Sequence, residues 1–313
     1  MELQSKVGFE APAFQLDYET PLKLIGSCFV ENIGAKLEYF RFKTDINPCG
    51  IVYNPSSVAE TLKLLLGDTY FTEADLWHHQ GRWVSFSHHG RFSDPDVSVC
   101  LQRINSRLAE SRIHLRKSKI LVLTWGTAWV FRHRGSGRIV SNCLKFPAAD
   151  FDRYRLTVEE IVSEYEQLFT QIGTAFPDLR ILFTVSPIRH WKDGAHGYEL
   201  CKAVLHLAID RLMSLFDRVS YFPSYEIVMD ELRDYRFYAE DMLHINQQGI
   251  DYIWEKFRDL YMGKETREMM KKIDRLNKCL LHRPLNKDDA LDILRKQQAM
   301  AELKRLGHGK TVD

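Results

Sequence analysis

Long apolar runs are missing from this 313-residue chain. No uninterrupted stretch approaches the roughly 20 residues that a bilayer-spanning helix needs, so no membrane association is expected. The opening residues lack a basic start, an apolar core and a small-residue cleavage site, which predicts no signal peptide and a cytoplasmic location. Charge of one sign is missing as well. A formal net charge of +1 leaves no footprint for nucleic acid or an anionic lipid surface. Cysteine motifs are absent too: Cys28, Cys49, Cys100, Cys143, Cys201 and Cys279 are scattered without C-x-x-C spacing. That pattern argues against a zinc site and a disulfide framework and leaves reduced thiols. There is no internal repeat and no low-complexity segment. What is present, 45% hydrophobic and 27% charged residues, is ordinary for a globular protein of one large domain with additions, or two small ones.

Apolar segments alternate with helical periodicity along most of the chain. Buried strands are predicted over 22–25, 119–124, 180–185 and 219–223, and helices over 31–39, 97–112, 157–169, 199–216, 225–232 and 247–261. A further helix is capped near Ser56 or Ser57 and runs to Leu66, and Thr157 with Glu160 has capping-box spacing. Strand, loop and helix units of this length point to a doubly wound α/β sheet. Residues 67–95 break the pattern with Trp77, His78, His79, Trp83, Phe86, His88, His89 and Phe92. Adjacent histidines point apart on strands and helices, so the His-His pairs predict no metal site; an aromatic flap beside a cleft, or a packed insertion, is expected. Residues 1–262 are therefore read as the α/β domain. Residues 263–313 form a charged helical extension, broken at Pro284, that packs on the domain edge or mediates self-association.

In an open α/β sheet, ligands bind where strands end and helices begin. Such ends deliver Ser27 and Cys28, Gly50, Gly126 and Thr127, and Arg189 and His190 to one rim. Asp241 and His244 arrive later, spaced so that the carboxylate orients the ring and the imidazole acts as base. Acyl transfer needs a nucleophile, a base and N–H donors for the oxyanion, and each has a candidate here.

The run Gly26-Ser27-Cys28-Phe29-Val30-Glu31-Asn32-Ile33 resembles the signature of the GSCFA-domain family, which belongs with SGNH/GDSL hydrolase-like proteins. The stretches 124–130, 185–190, 224–237 and 241–244 match it further, so the resemblance spans about Lys23 to Phe257. It implies a flavodoxin-like three-layer α/β/α sandwich with a mostly parallel sheet, and an enzyme that removes or transfers acyl groups. Laid on the family's Gly-Asp-Ser block, Cys28 takes the nucleophile's place, and Ser27 is the alternative. A helix N-terminus lowers a thiol's pKa, which favours Cys28.

Gly50 corresponds to the second-block oxyanion donor. Gly126 opens a third block in which Ala128 replaces the usual Asn, leaving Thr127, Asn142 or Arg189 to complete the hole. Asp241 and His244 match the last block, while His190 is a candidate substrate contact. The implied function is an esterase or deacetylase acting on a hydroxylated small molecule or glycan, with no cofactor. The alternatives are an acyltransferase using an acyl-CoA donor, and a carbohydrate-binding module on a decayed hydrolase fold.

Overall fold

A computed structural model describes residues 5–189, 191–282 and 290–307. His190 and the helix break at Pro284 lie outside the described residues. The sheet begins with β1 (Leu22–Gly26), which turns into α1 (Cys28–Tyr39), returns through β2 (Thr44–Ile46) and enters α2 (Pro55–Leu66). A hairpin of β3 (Trp77–His79) and β4 (Arg82–Val84) precedes α3 (Val97–Lys117) and the central strand β5 (Ile120–Trp125). Next come β6 (Trp129–His133), β7 (Ile139–Val140) and β8 (Phe151–Arg155), then α4 (Val158–Ala175), β9 (Arg180–Val185), α5 (Gly194–Leu215) and β10 (Val219–Tyr221). The remainder is helical: α6 (Ser224–Glu226) runs into a π-turn over Ile227–Glu231, followed by α7 (Gln247–Tyr261), α8 (Lys264–Leu281) and α9 (Ala290–Arg305).

The main sheet has five strands in the order β2-β1-β5-β9-β10, and every pairing in it is parallel. Its three inner strands, β1, β5 and β9, are buried on both faces, and alternate residues feed two separate cores. Ile25, Leu121, Leu123, Ile181 and Phe183 join the core beneath α2, α3, α4 and α5. Leu22, Leu24, Ile120, Val122 and Leu182 join the core beneath α1, α7 and α8. Each fully buried side chain of this size contributes about 1.5–3 kcal/mol, so the two-sided burial fixes strand register firmly.

Local signals account for most boundaries. Asn54, rather than Ser56 or Ser57, caps α2 by accepting from the Ser57 N–H at 2.8 Å, and Pro55 takes the first helical position, where no N–H is needed. The Thr157–Glu160 capping box at the start of α4 is formed in both directions. β6, β7 and β8 make a separate antiparallel sheet that the periodicity did not predict. The hairpin of β3 and β4 packs with that sheet, with Trp77 and Phe86 against Phe146.

The histidine pairs are dispersed in this packing. His79 stacks on Phe146 at 3.9 Å, and His88 is buried with Nδ1 2.9 Å from Ser85 Oγ. Burial drives the His88 pKa down to about 3, so it stays neutral. Among the described residues no cluster of His, Cys, Asp and Glu could hold a metal ion, and no helix is long and apolar enough to cross a membrane.

The predicted extension starts with α8, in which Met270 and Ile273 are buried and Met270 joins the core that α1 and α7 share. Its Asn277 donates to the Tyr39 carbonyl at 2.5 Å, and the Tyr39 hydroxyl donates to Asp274 at 2.9 Å. The lead-in segment covers the same face: Leu16 bridges Met262, and Phe14 stacks on Tyr261.

Candidate active site

The order of the parallel strands places a switch point between β1 and β5, whose following connections leave in opposite directions around the sheet. Gly26 ends β1 there at φ +151°, and a Cβ on it would stand 2.3 Å from the Thr124 carbonyl oxygen. Only glycine lets the two strand ends approach so closely. Asn47 holds the corner from the other side, with its Oδ1 accepting from the Gly26 N–H at 2.9 Å.

Ser27 is the N-cap of α1, yet its hydroxyl makes no capping bond; its Oγ is buried without a hydrogen-bond partner. Cys28 is half-buried in the first helical position. Two amides of that turn, its own N–H and that of Phe29, address the sulfur and favour the thiolate. Burial is the larger influence and pushes the Cys28 thiol up, so the expected net lowering by the helix terminus is overturned.

Asp241 and His244 share a tight loop closed by the Ala239 N–H on the His244 carbonyl at 2.8 Å. Asp241 Oδ1 accepts from the N–H groups of Leu243 and His244, both at 2.9 Å, and Oδ2 lies 2.5 Å from His244 Nδ1. The backbone bond from His244, followed by the ring bond, holds the Asp241 carboxyl down at about 2, so it is ionised. A carboxylate only accepts, so Nδ1 carries the proton and Nε2 is left as the basic position. His244 lines a small cleft with Phe29 and Asn32 of α1 and with Pro187 and Ile188 beyond β9. That cleft reaches α1 through Phe29 and Asn32, and neither Ser27 nor Cys28 lines it.

The predicted oxyanion donors are committed elsewhere. The Gly50 N–H donates to the Asn47 carbonyl at 2.9 Å, and the N–H groups of Gly126 and Thr127 both donate to the Tyr53 carbonyl, at 2.7 and 3.0 Å. Thr127 Oγ1 accepts from the Trp129 N–H at 3.1 Å and lies 3.3 Å from Cys201 Sγ. Ala128, in the place of the family's Asn, gives its N–H to Cys201 Sγ at 3.1 Å. Asn142 stands beyond β7, where its Oδ1 accepts from the Leu144 N–H, outside the corner. Gly50 is nonetheless required by shape: its φ is +86°, and a Cβ there would fall 2.2 Å from His89 Cβ. Arg189 pairs with Glu199 at 2.7 Å and lies over the Tyr198 ring.

Sequence reasoning passed over Lys202. It is buried in α5 and donates from Nζ to the carbonyls of Gly126 and Ser186, both at 2.6 Å, tying the ends of β5 and β9 together. Desolvation brings its pKa down to about 7, while the sulfurs of Cys201 and Cys28 pull the other way. Its signal is visible in retrospect: Tyr198, Lys202, Leu205, Ile209 and Leu212 form one buried helical stripe interrupted by a single cation. Tyr53 was also passed over. Its phenol senses both Cys28 and Glu31, and burial raises its pKa.

A doubly wound parallel sheet with helical layers on both faces defines a three-layer α/β/α protein. No curated protein matches the sequence. The chain belongs to the GSCFA family, whose model matches residues 21–257. Similar solved structures include the acetyl xylan esterase Est2A from Butyrivibrio proteoclasticus, at 9% identity and TM-score 0.41, covering 77% of this chain and 63% of that one. A family two carbohydrate esterase from Clostridium thermocellum, in complex with cellohexaose, matches at 13% identity and TM-score 0.37, covering 85% and 67%. A family 3 carbohydrate esterase from the same organism matches at 12% identity and TM-score 0.35, covering 80% and 97%.

Proposed function

We propose that the protein is a thiol-dependent acyl-ester hydrolase acting on a hydroxylated small molecule or glycan. One observation supports this reading: Cys28 is half-buried at the start of α1, and a carboxylate-locked imidazole shares a cleft with the next residues of that helix, Phe29 and Asn32. Ser27 is the weaker nucleophile because its hydroxyl is wholly buried.

The reaction runs in two steps. Cys28 Sγ gives its proton to His244 Nε2 and attacks the acyl carbonyl. The C–O bond to the alcohol breaks, and the alcohol leaves with the proton returned by His244, giving a thioester on Cys28. Water, deprotonated by the same Nε2, then attacks the thioester; the C–S bond breaks, the acid leaves, and the thiol recovers a proton. Asp241 keeps Nδ1 protonated throughout and steadies the imidazolium. The Cys28 and Phe29 amides at the start of α1 have no helical acceptor and receive the oxyanion.

Purified protein assayed on p-nitrophenyl esters tests this reading. Cys28→Ala abolishes turnover, whereas Ser27→Ala, which removes a buried hydroxyl, leaves most of it. Full loss in Ser27→Ala with activity retained in Cys28→Ala sinks the assignment of the thiol. Incubation with acetyl-coenzyme A and an alcohol acceptor separates transfer from hydrolysis, because an acyltransferase passes the acyl group to the acceptor rather than to water. Tight glycan binding without turnover of any acyl donor would instead mark a binding module.

A further inference from the structure

A cleft of about 170 Å³ opens beside the carboxyl end of β5, and neither Cys28 nor His244 lines it. Gly126, Trp129, Phe131, Arg153, Tyr198 and Cys201 form much of its surface. It adjoins the thiol's corner through Gly126, where a Cβ would stand 3.5 Å from Ser27 Cβ. Lys202 braces that junction, binding the Gly126 carbonyl while its ammonium rests 5.3 Å from the centre of the Tyr198 ring.

Some of the polar groups around this cleft are spent on one another, while the Lys192 ammonium also lines it, 5.6 Å from the centre of the Phe131 ring. Arg153 is held by both Asp193 oxygens, at 2.7 and 2.6 Å, and its guanidinium lies 3.8 Å over the Trp129 ring. That covers one face of the indole and neutralises the guanidinium. Thr127 Oγ1 is taken by the Trp129 N–H and faces Cys201 Sγ. A sugar would need an open aromatic face and hydroxyl partners along it. A hydrocarbon needs neither.

Size narrows the occupant further, since an apolar cavity of roughly 150 Å³ admits benzene. We infer that this cleft is the acyl pocket of the hydrolase proposed above and takes the hydrocarbon part of a short-to-medium acyl chain, about four to six carbons, instead of acetyl alone. With the acyl carbonyl at Cys28, the chain passes over Gly126, which has no side chain in the way, and lies against Phe131 and Tyr198. The inference rests on the hydrolase reading, so its test includes a readout that needs no turnover.

Binding of hexanamide and acetamide to the full chain is measured by NMR titration, beside kcat/KM for p-nitrophenyl acetate, butyrate and hexanoate. Each buried methylene is worth about fourfold in affinity, so hexanamide binds at least about tenfold tighter than acetamide, and kcat/KM rises from acetate to hexanoate. Thr127→Leu fills the cleft and lowers the hexanoate-to-acetate ratio. Phe131→Ala widens it and moves the preference to longer chains, so one folded variant of the two is enough. Equal binding of the two amides, or a chain preference that neither variant moves, overturns the inference. If hexanamide binds in a Phe131-dependent way but no ester is turned over, the pocket stands and the hydrolase reading falls.

Discussion

Two lysines are buried on the same side of the sheet, and they are treated in opposite ways. Lys23 of β1 is sealed into a closed set: its Nζ bonds to Asp45 and Ser111, Arg107 pairs with the same carboxylate, and the Ser111 hydroxyl donates to Asp45 at 2.7 Å. The neighbouring cations hold the Asp45 carboxyl far below its ordinary range, and desolvation brings Lys23 down only to about 8. Lys202 donates instead to two carbonyl oxygens, and among the described residues no carboxylate is bridged to it. Desolvation dominates its pKa, and the nearby Cys201 and Cys28 offset only part of that. A buried charge with its counter-charge beside it is a structural fixture. One left facing a thiol remains available to the chemistry.

That contrast can be broken or sharpened by substitution. His244→Ala should lower kcat by about 10² to 10⁴ while leaving thermal unfolding nearly unchanged, because the ring is half exposed. Asp45→Ala strands Lys23 and Arg107 without their carboxylate and should cost about 3–5 kcal/mol in denaturant unfolding, yet spare activity per folded molecule. A comparable loss of kcat in that variant would erase the distinction between the two lysines.

Lys202→Met strands the carbonyls of Gly126 and Ser186, for about 2 kcal/mol of stability, and should also lower kcat. Its pH dependence is diagnostic. Lys202 gives up its proton near pH 7 when folded and near 10.5 when unfolded, so between those values the unfolded chain holds more protons and stability rises with pH. Lys202→Met removes that rise, first between pH 7 and 8, before Lys23 titrates. An unchanged slope in urea titrations across that window would count against the assignment. Thr157→Ala, which breaks the α4 capping box far from both lysines, should cost about 1 kcal/mol and leave kcat alone.

Much of the frame could be read before the structure. The strand at 180–185 and the helix at 247–261 fall where their periodicity placed them, because both are long and evenly patterned. The Asp241–His244 pairing was legible too, since three residues of one turn settle it locally. β6, β7 and β8 were not, because short strands around polar turns carry little period, and Trp129 reads as the end of a loop. The oxyanion donors were misjudged for a related reason. Where the Gly50 and Gly126 amides point depends on carbonyls distant in sequence or hidden within a turn. For Cys28, spacing gave the helix terminus but not the burial that outweighs it.

The seating of α1 also bears on the order in which a nascent chain becomes competent. The core under α2 to α5 draws its residues from Ile25 to Val219, so it can close once that much has left the ribosome. The core on which α1 rests combines Leu16 and Phe29 with Trp254, Phe257 and Met270, from opposite ends of the fold. Pairings so distant in sequence form late. The helix bearing the thiol therefore precedes every other helix of this fold, yet its underside and its imidazole come from elements after β10. A translation product halted before the Asp241–His244 loop would carry Cys28 without the base to arm it.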